Sequence, residues 1–210
     1  MSVLLCSEIL IAIYRFLPLL QNRLYMAKLY INKDIVADKD KMENWYLTGE
    51  EGLSFPDIQN FLSWIDPNDH VIDIEIHSCG GDAVEGYAIY DALRASGKQI
   101  SCTAVGRCAS MATVILLAAA KERRFAYPHA KFLIHKPYMA SYDGDLDLET
   151  LESIKSNLES EKNKMLALYV ERTGSEASVI EAQMNKAGWF GGETAKQLSL
   201  IHISEPTRPY

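Results

Sequence analysis

Two residues far apart in the chain have the chemistry of an acyl-transfer pair. Ser110 stands in the segment Gly106-Arg-Cys-Ala-Ser-Met-Ala112, where strand-like sequence gives way to helix-like sequence, and His135 ends the stretch Lys131-Phe-Leu-Ile-His. A serine hydroxyl is a poor nucleophile until a neighbouring base accepts its proton, and imidazole can take that proton and return it to a leaving amine. We therefore predict Ser110 as nucleophile and His135 as general base.

Backbone donors are predicted beside this pair. Gly80-Gly81 follows a predicted strand, and glycines allow positive φ and close approach, so that their N–H groups can point at a developing oxyanion. A helix that begins after Ser110 would also present free N–H groups and a partial positive charge there. Serine is also a common helix N-cap and two glycines also make a tight turn, so each motif alone indicates structure rather than chemistry.

The elements that must position these residues alternate between strand and helix patterns. Period-two alternation predicts strands and helical spacing of apolar residues predicts helices. The predicted strands are a first one after Met26, Val71 to Ile76, Ile100 to Val105, Arg123 to Tyr127 and Lys131 to His135; the predicted helices are Ala83 to Ala95, Ser110 to Ala120, Asp147 to Arg172, and one from an N-cap at Ser175 to Lys186. Repeated right-handed βα crossovers predict an α/β fold with a mostly parallel sheet and ligand chemistry at strand ends.

The order and spacing of three motifs resemble the signature blocks of the Clp protease proteolytic subunit. They are Gly80-Gly81, Gly106-x-x-Ala-Ser-Met-Ala112 and Ile134-His135-x-Pro137, and the resemblance runs from about Tyr30 to Gln197. It implies a ClpP/crotonase-type fold of stacked βα units in which Asp147 to Arg172 is a protruding handle helix that interlocks two rings.

The same resemblance implies a role for each matching residue. Ser110 is the nucleophile, His135 the base, and the N–H groups of Gly80 and Met111 form the oxyanion hole, while Gly81 shapes the substrate-binding edge. The implied function is that of a serine endopeptidase, which cleaves unfolded polypeptides through an acyl-serine intermediate. The implied assembly is a homo-oligomeric chamber of stacked rings, fed by a separate Clp-type ATPase.

Other functions stay open beside this one. The chain has no G-x-x-x-x-G-K-[ST] loop, so nucleotide chemistry has to come from another chain. A phage-type head maturation protease would work without an ATPase, and an inactive structural ring subunit would keep the handle without efficient chemistry. An acyl-CoA enzyme of the related crotonase fold would use oxyanion donors without a serine–histidine pair, and the pairing of Ser110 with His135 disfavours it.

The sequence departs from the family pattern at the third catalytic group. An acid is expected two residues before Trp189, and that position is Ala187. The acid of a catalytic triad fixes the histidine tautomer and stabilises the imidazolium, and its loss costs about 10⁴ in turnover in the well-studied triad. The missing acid is compatible with a slow enzyme, with a working Ser–His dyad, or with a substitute that orients His135, for which Asn185 and Glu181 are the candidates.

Cysteines and histidines near the motifs suggest two further chemistries. His77 and Cys79 replace the usual Asn and Pro before the glycines, and with His70 they suggest a metal, but such loose spacing does not predict a zinc site. Cys108 lies two residues before Ser110, although a buried small thiol is more often inert packing than a nucleophile. Ser110 remains the predicted nucleophile.

Length and composition limit the remaining functions. The 210 residues suit one domain with a single core, and the net charge of −7 disfavours nucleic acid as a partner. Four cysteines without a C-x-x-C pair predict a reduced, cytoplasmic protein, and no cofactor or metal is predicted. The apolar residues 3–20 are interrupted by Glu8 and Arg15, so no membrane association is predicted.

The two ends of the chain do not fit the domain pattern. We interpret residues 1–25 as a non-native upstream extension, with Met26 as the natural start, and residues 26–197 as the ClpP-like peptidase domain. Residues 198–210 (LSLIHISEPTRPY) resemble the translation of a transposase adapter used in sequencing libraries. This interpretation excludes them, including His202, from the fold and the mechanism.

Overall fold

Five parallel strands form a single sheet in the computed structural model, which describes residues 26–139, 142 and 144–202. The strands are β1 (Met26–Ile31), β2 (Val71–Ser78), β3 (Gln99–Ala109), β4 (Arg124–Ala126) and β5 (Lys131–Leu133). Their order is β1-β2-β3-β4, and β5 pairs with the second half of β3. The predicted α/β fold with a parallel sheet is confirmed.

Among the described residues, four α-helices lie between the first and the fourth strand along the chain, and three follow the last strand. In the described part of the chain they are α1 (Lys41–Thr48), α2 (Phe55–Trp64), α3 (Ala83–Ala95), α4 (Met111–Leu116), α5 (Leu148–Thr173), α6 (Ala177–Lys186) and α7 (Gly192–Gln197). Helix α3 has the predicted bounds because the Asp82 side chain caps its start by accepting a hydrogen bond from the Glu85 N–H (2.9 Å). The predicted N-cap of α6 was wrong by one residue: Glu176 occupies that position instead of Ser175.

The core lies on both faces of the central strands. Ile72, Ile74 and Ile76 of β2 are fully buried, and so is Asp73 on the opposite face of the strand. A strand in the middle of a parallel sheet is covered on both faces by its crossover helices, so a polar residue such as Asp73 is buried there as well. Of the helices in the described residues, none is both long and apolar enough to cross a membrane.

Strand β3 is longer than its sequence pattern because it changes neighbours along its length. Cys102 to Ala104 pair with β4, and Arg107 to Ala109 pair with β5. Between these two sections the ladder with β2 is irregular: one residue separates Ile76 from Ser78, while three separate Ala104 from Cys108. The irregular ladder lets β3 continue to Ala109 and place the next residue at the carboxyl edge of the sheet.

The chain after Gln197 continues into the folded domain. Leu198, Leu200 and Ile201 are buried in the core, and the His202 N–H donates to the Arg124 carbonyl oxygen (2.8 Å). Residues 198–202 therefore pack against the domain whose predicted limit is Gln197. The interpretations of residues 1–25 and 203–210 lie outside the described residues, and the proposed origin of either end stays a prediction.

Candidate active site

The sheet brings Ser110 and His135 to the same edge. Ala109 is the last residue of β3 to pair with β5, and its partner is Leu133. The Ser110 N–H then donates to the Leu133 carbonyl oxygen (2.8 Å). Because the strands are parallel, Ser110 and His135 both follow the last paired residues of two neighbouring strands at one edge of the sheet. Strand β5 ends at Leu133, two residues before the predicted end of this strand at His135.

Ser110 has an unusual backbone conformation. Its φ of 52° and ψ of −126° lie in a region that residues with a side chain rarely adopt. The residue joins β3 directly to α4, so the local arrangement is strand, strained serine, helix. The same arrangement in nucleophile elbows exposes the serine Oγ at the top of a sheet. Such strain is often found at functional sites, and here it falls on the predicted nucleophile.

Gly80 packs directly against this turn. Its φ is +86°, and a Cβ built on it would lie 2.7 Å from Met111 N and 2.8 Å from Ser110 Cβ. Such contacts leave no room for a side chain, so the close approach requires glycine at this position. The Gly80 N–H donates to the Ser78 Oγ (3.0 Å). Its predicted role as an oxyanion donor is therefore in competition with an existing hydrogen bond.

Gly81 has a freer N–H than Gly80. It forms a parallel bridge with Ile35, in which the Ile35 N–H donates to Gly80 O (2.7 Å) and the Asp82 N–H donates to Ile35 O (2.8 Å). These two hydrogen bonds involve the Gly80 carbonyl and the Asp82 N–H, so the Gly81 N–H takes no part in the bridge. In the described part of the chain, the N–H groups of Gly81 and Met111 have no hydrogen-bond acceptor. These two donors are available for a ligand.

His135 is oriented by the backbone. Its Nδ1 lies 2.6 Å from the Lys136 carbonyl oxygen, and its ring centroid lies 5.5 Å from that of Tyr138. A carbonyl oxygen only accepts hydrogen bonds, so the neutral ring must carry its proton on Nδ1. This tautomer leaves the Nε2 lone pair free to accept a proton.

Ser110 and His135 line one cavity of about 760 Å³. Its wall also carries four carboxylates and several apolar side chains, among them Asp34, Asp40, Glu43, Asp82, Leu47, Met139, Leu158 and Met165. Within the described part of the chain, the Ser110 hydroxyl and the His135 imidazole form no direct hydrogen bond with each other. In ligand-free enzymes such bonds are often long and tighten only when substrate binds.

The two candidates for a third catalytic residue do not line this cavity. Glu181 Oε1 is 3.0 Å from Lys162 Nζ, and that hydrogen bond lowers the pKa of the carboxyl group. Asn185 is exposed on α6, and Ala187, at the position of the missing acid, is an exposed C-cap with φ of 47°. The group that orients the imidazole is the Lys136 carbonyl oxygen. It belongs to the backbone, so the side chains in the sequence do not indicate it.

The other candidate groups near the serine differ in accessibility. Cys108 is fully buried, and burial raises the pKa of its thiol well above the ordinary value, which disfavours a nucleophilic thiolate. Cys79 lines the cavity, while the exposed His77 lies beside Gly106 and does not line it. Among the described residues, no three His, Cys, Asp or Glu side chains are grouped so that they could hold a metal ion.

The fold and the site together define a class: a parallel α/β protein with a serine at a strained strand-to-helix turn, a histidine just after the end of the neighbouring strand, and free backbone donors beside them. Residues 57–204 match the family described as Clp protease, which is more than half of the chain. The chain therefore belongs to the Clp protease family, and this membership supports a ClpP-type peptidase.

Curated relatives agree with this assignment. The ATP-dependent Clp protease proteolytic subunit 1 of Chlamydia abortus is 30% identical over 145 residues, which cover 67% of this chain and 72% of the relative. The protein of the same name from Chlamydia caviae is 32% identical over 130 residues, covering 60% and 65%. That from Protochlamydia amoebophila is 28% identical over 145 residues, covering 67% and 68%.

Proposed function

We propose that this protein is a serine endopeptidase that cleaves polypeptides through an acyl-serine intermediate. Ser110 is the nucleophile, His135 the general base, and the N–H groups of Met111 and Gly81 stabilise the oxyanion. The observation that carries the proposal is the convergence of a strained serine, an imidazole with a free Nε2 and two unused backbone donors on one cavity. Gly81 replaces Gly80 as donor because the Gly80 N–H is bonded to Ser78.

The proposed reaction has two acyl transfers. The Ser110 Oγ attacks the scissile carbonyl carbon while His135 Nε2 takes the hydroxyl proton, and the carbonyl oxygen becomes an oxyanion held by the two N–H groups. The C–N bond then breaks as the imidazolium returns its proton to the leaving amine. A water molecule, deprotonated by His135, then attacks the acyl-serine ester, the bond between the carbonyl carbon and Ser110 Oγ breaks, and the imidazolium returns its proton to Oγ as the second product leaves with a new carboxyl group.

The proposed base works without an adjacent carboxylate. The Lys136 carbonyl fixes the tautomer, which is one of the two tasks of the acid in a triad, but it carries no net charge to stabilise the imidazolium. The carboxylates of Asp34, Asp40, Glu43 and Asp82 on the cavity wall contribute a negative potential that favours the cation from a greater distance. We therefore expect a working but slower enzyme than one with a complete triad.

We also propose that the peptidase works as an oligomeric chamber supplied by a separate ATPase. Support for the oligomer comes from α5, whose buried residues (Met165, Tyr169 and Thr173) all lie in its C-terminal half, while Leu148 and Leu151 at its start are exposed. A long helix with exposed leucines is stabilised when a second copy covers them. The ATPase partner rests on the names of the relatives, and the cytoplasmic location stays a prediction.

A fluorophosphonate probe tests the serine mechanism directly. The purified protein should be labelled at Ser110, as located by peptide mass spectrometry, because the activated Oγ displaces fluoride from phosphorus. Labelling should disappear in Ser110→Ala and slow strongly in His135→Ala. Cys108→Ala is the matched control: it should label at the wild-type rate and lose only about 1 kcal/mol of stability. An assembled wild-type protein that takes up no probe would contradict the proposal and favour an inactive ring subunit.

Casein degradation separates two kinds of protease. With a Clp ATPase and ATP, we expect faster loss of casein than with the peptidase alone, because in the proposed assembly the ATPase delivers polypeptides into the chamber. The measurement is casein remaining on a gel over time, with Ser110→Ala as the blank. Equal rates with and without the ATPase would contradict the ATPase proposal and favour a maturation protease of the phage type.

A further inference from the structure

A buried threonine and a buried tyrosine are connected to the predicted nucleophile by hydrogen bonds. The Thr113 Oγ1 lies 2.6 Å from the Ser110 carbonyl oxygen and 2.5 Å from the Tyr169 hydroxyl. Both side chains are fully buried. Thr113 belongs to α4 and Tyr169 to α5, so this contact connects the helix that starts at the nucleophile with the long helix of the chain.

The direction of these hydrogen bonds follows from the chemistry of the groups. The Ser110 carbonyl can only accept, so the Thr113 hydroxyl donates its single hydrogen to it. The Thr113 oxygen is then left as an acceptor, and the Tyr169 O–H must donate. Burial raises the pKa of Tyr169 well above its ordinary value, so the phenol keeps its proton and remains a donor.

This series of hydrogen bonds ends at the Ser110–Met111 peptide group, whose N–H is a proposed oxyanion donor. The Ser110 carbonyl and the Met111 N–H belong to one trans peptide unit, in which C=O and N–H point in opposite directions. The carbonyl accepts from the Thr113 N–H (2.9 Å) as well as from the Thr113 hydroxyl. These two bonds fix the plane of the peptide and thereby aim its N–H, and successive hydrogen bonds polarise one another, which strengthens the donor.

We infer that Thr113 and Tyr169 are positioning residues for the proposed acyl-transfer reaction: they hold and polarise the Ser110–Met111 peptide group so that its N–H serves as an oxyanion donor. The inference rests on the proposed function of Ser110. It also connects the active site to α5, because the strength of the donor depends on Tyr169 staying in place. Neither residue touches the reacting atoms.

The rate of fluorophosphonate labelling at Ser110 measures this role without a known substrate, because the phosphoryl oxygen occupies the oxyanion site. In Thr113→Val and Tyr169→Phe we expect the maximal labelling rate to fall about 10-fold or more, since removal of an oxyanion donor itself costs about 10²–10³. The probe concentration that gives half-maximal rate should stay within about twofold, because ground-state binding is unchanged. Thr113→Ser keeps the hydroxyl and should restore most of the rate.

A matched control distinguishes positioning from general loss of packing. The Tyr87 hydroxyl is buried and has no hydrogen-bond partner in the described part of the chain, so Tyr87→Phe removes the same group from the same kind of environment. We expect Tyr87→Phe to label at the wild-type rate. If Thr113→Val does not fold, Tyr169→Phe carries the test with the same expected result.

The outcomes separate this inference from the proposed function. Wild-type protein that does not label at Ser110 contradicts both. Labelled wild-type protein together with a wild-type rate in folded Tyr169→Phe or Thr113→Val contradicts only the positioning role. Equal slowing in Tyr87→Phe and Tyr169→Phe would also contradict it, because loss of a buried hydroxyl would then act through packing alone. Slowing in Thr113→Val that Thr113→Ser reverses supports it.

Discussion

Alanine at Ser110 and alanine at His135 should each lower kcat for a fluorogenic peptide by about 10³-fold or more, and the double variant should be no slower than either single variant. Nucleophile and base act as one unit, so once either is gone the other has nothing left to contribute. The measurement is peptide hydrolysis by the four proteins, with melting temperatures to confirm that each is folded.

The control for this cycle is another histidine of the same chain. His129 is exposed and lies outside the cavity, so His129→Ala should hydrolyse the peptide at the wild-type rate. Multiplicative losses in the Ser110 and His135 double variant would contradict the pair, because independent effects multiply and a shared proton transfer does not. A His135→Ala protein with full activity would remove the imidazole from the mechanism and leave only the serine.

Elements with strong local signals were predicted with accurate bounds. Helix α3 is an example, because an aspartate before it and a glycine after it mark its ends in the sequence. Helix α4 was predicted to run from Ser110 to Ala120 and ends at Leu116, because the buried residues after it form i→i+3 bonds such as Ala118 N–H to Ile115 O (2.9 Å). An apolar run predicts that a segment is buried. It does not indicate whether the buried backbone continues as an α-helix or forms tighter turns.

The parts of the site that the sequence could not predict depend on tertiary contacts between backbone groups. The spacing of Gly80 and Gly81 does not indicate which N–H is free, since that depends on the Ile35 bridge and on Ser78. The Lys136 carbonyl has no side-chain signature at all. The Thr113–Tyr169 bond joins residues 56 positions apart, and either residue alone is typical of an ordinary core.

The buried end of α5 gives the nucleophile a direct structural connection to a helix that is otherwise half exposed. Tyr169 donates to Thr113 at one end of this connection, and Leu148 and Leu151 are exposed near the other end of the same helix. If a second copy covers those leucines, as we propose, assembly would restrict α5 and hold Tyr169 in place. Chamber formation and strength of the oxyanion donor would then be coupled through one helix.

Gly80→Ala is expected to reduce fluorophosphonate labelling by at least about 10²-fold, comparable to loss of one oxyanion donor. The added Cβ would lie 2.5 Å from Ala109 O, 2.7 Å from Met111 N and 2.8 Å from Ser110 Cβ. All three atoms belong to the main chain or to the nucleophile, so relief of the contacts must move the serine turn itself. The measurement is the labelling rate at Ser110 together with the melting temperature.

Gly97→Ala is the control that separates the effect of the close contacts at Gly80 from the effect of backbone strain. Gly97 has a similar positive φ of +70°, but a Cβ there would meet no atom within 4 Å. Both substitutions cost roughly 1–2 kcal/mol for an alanine in the left-handed region, whereas only the change at Gly80 displaces the serine and its neighbouring donor. Labelling should therefore fall at Gly80→Ala and stay at the wild-type rate at Gly97→Ala. Rapid labelling of a folded Gly80→Ala protein would show that the turn tolerates movement, and the preorganised oxyanion hole would have to be abandoned.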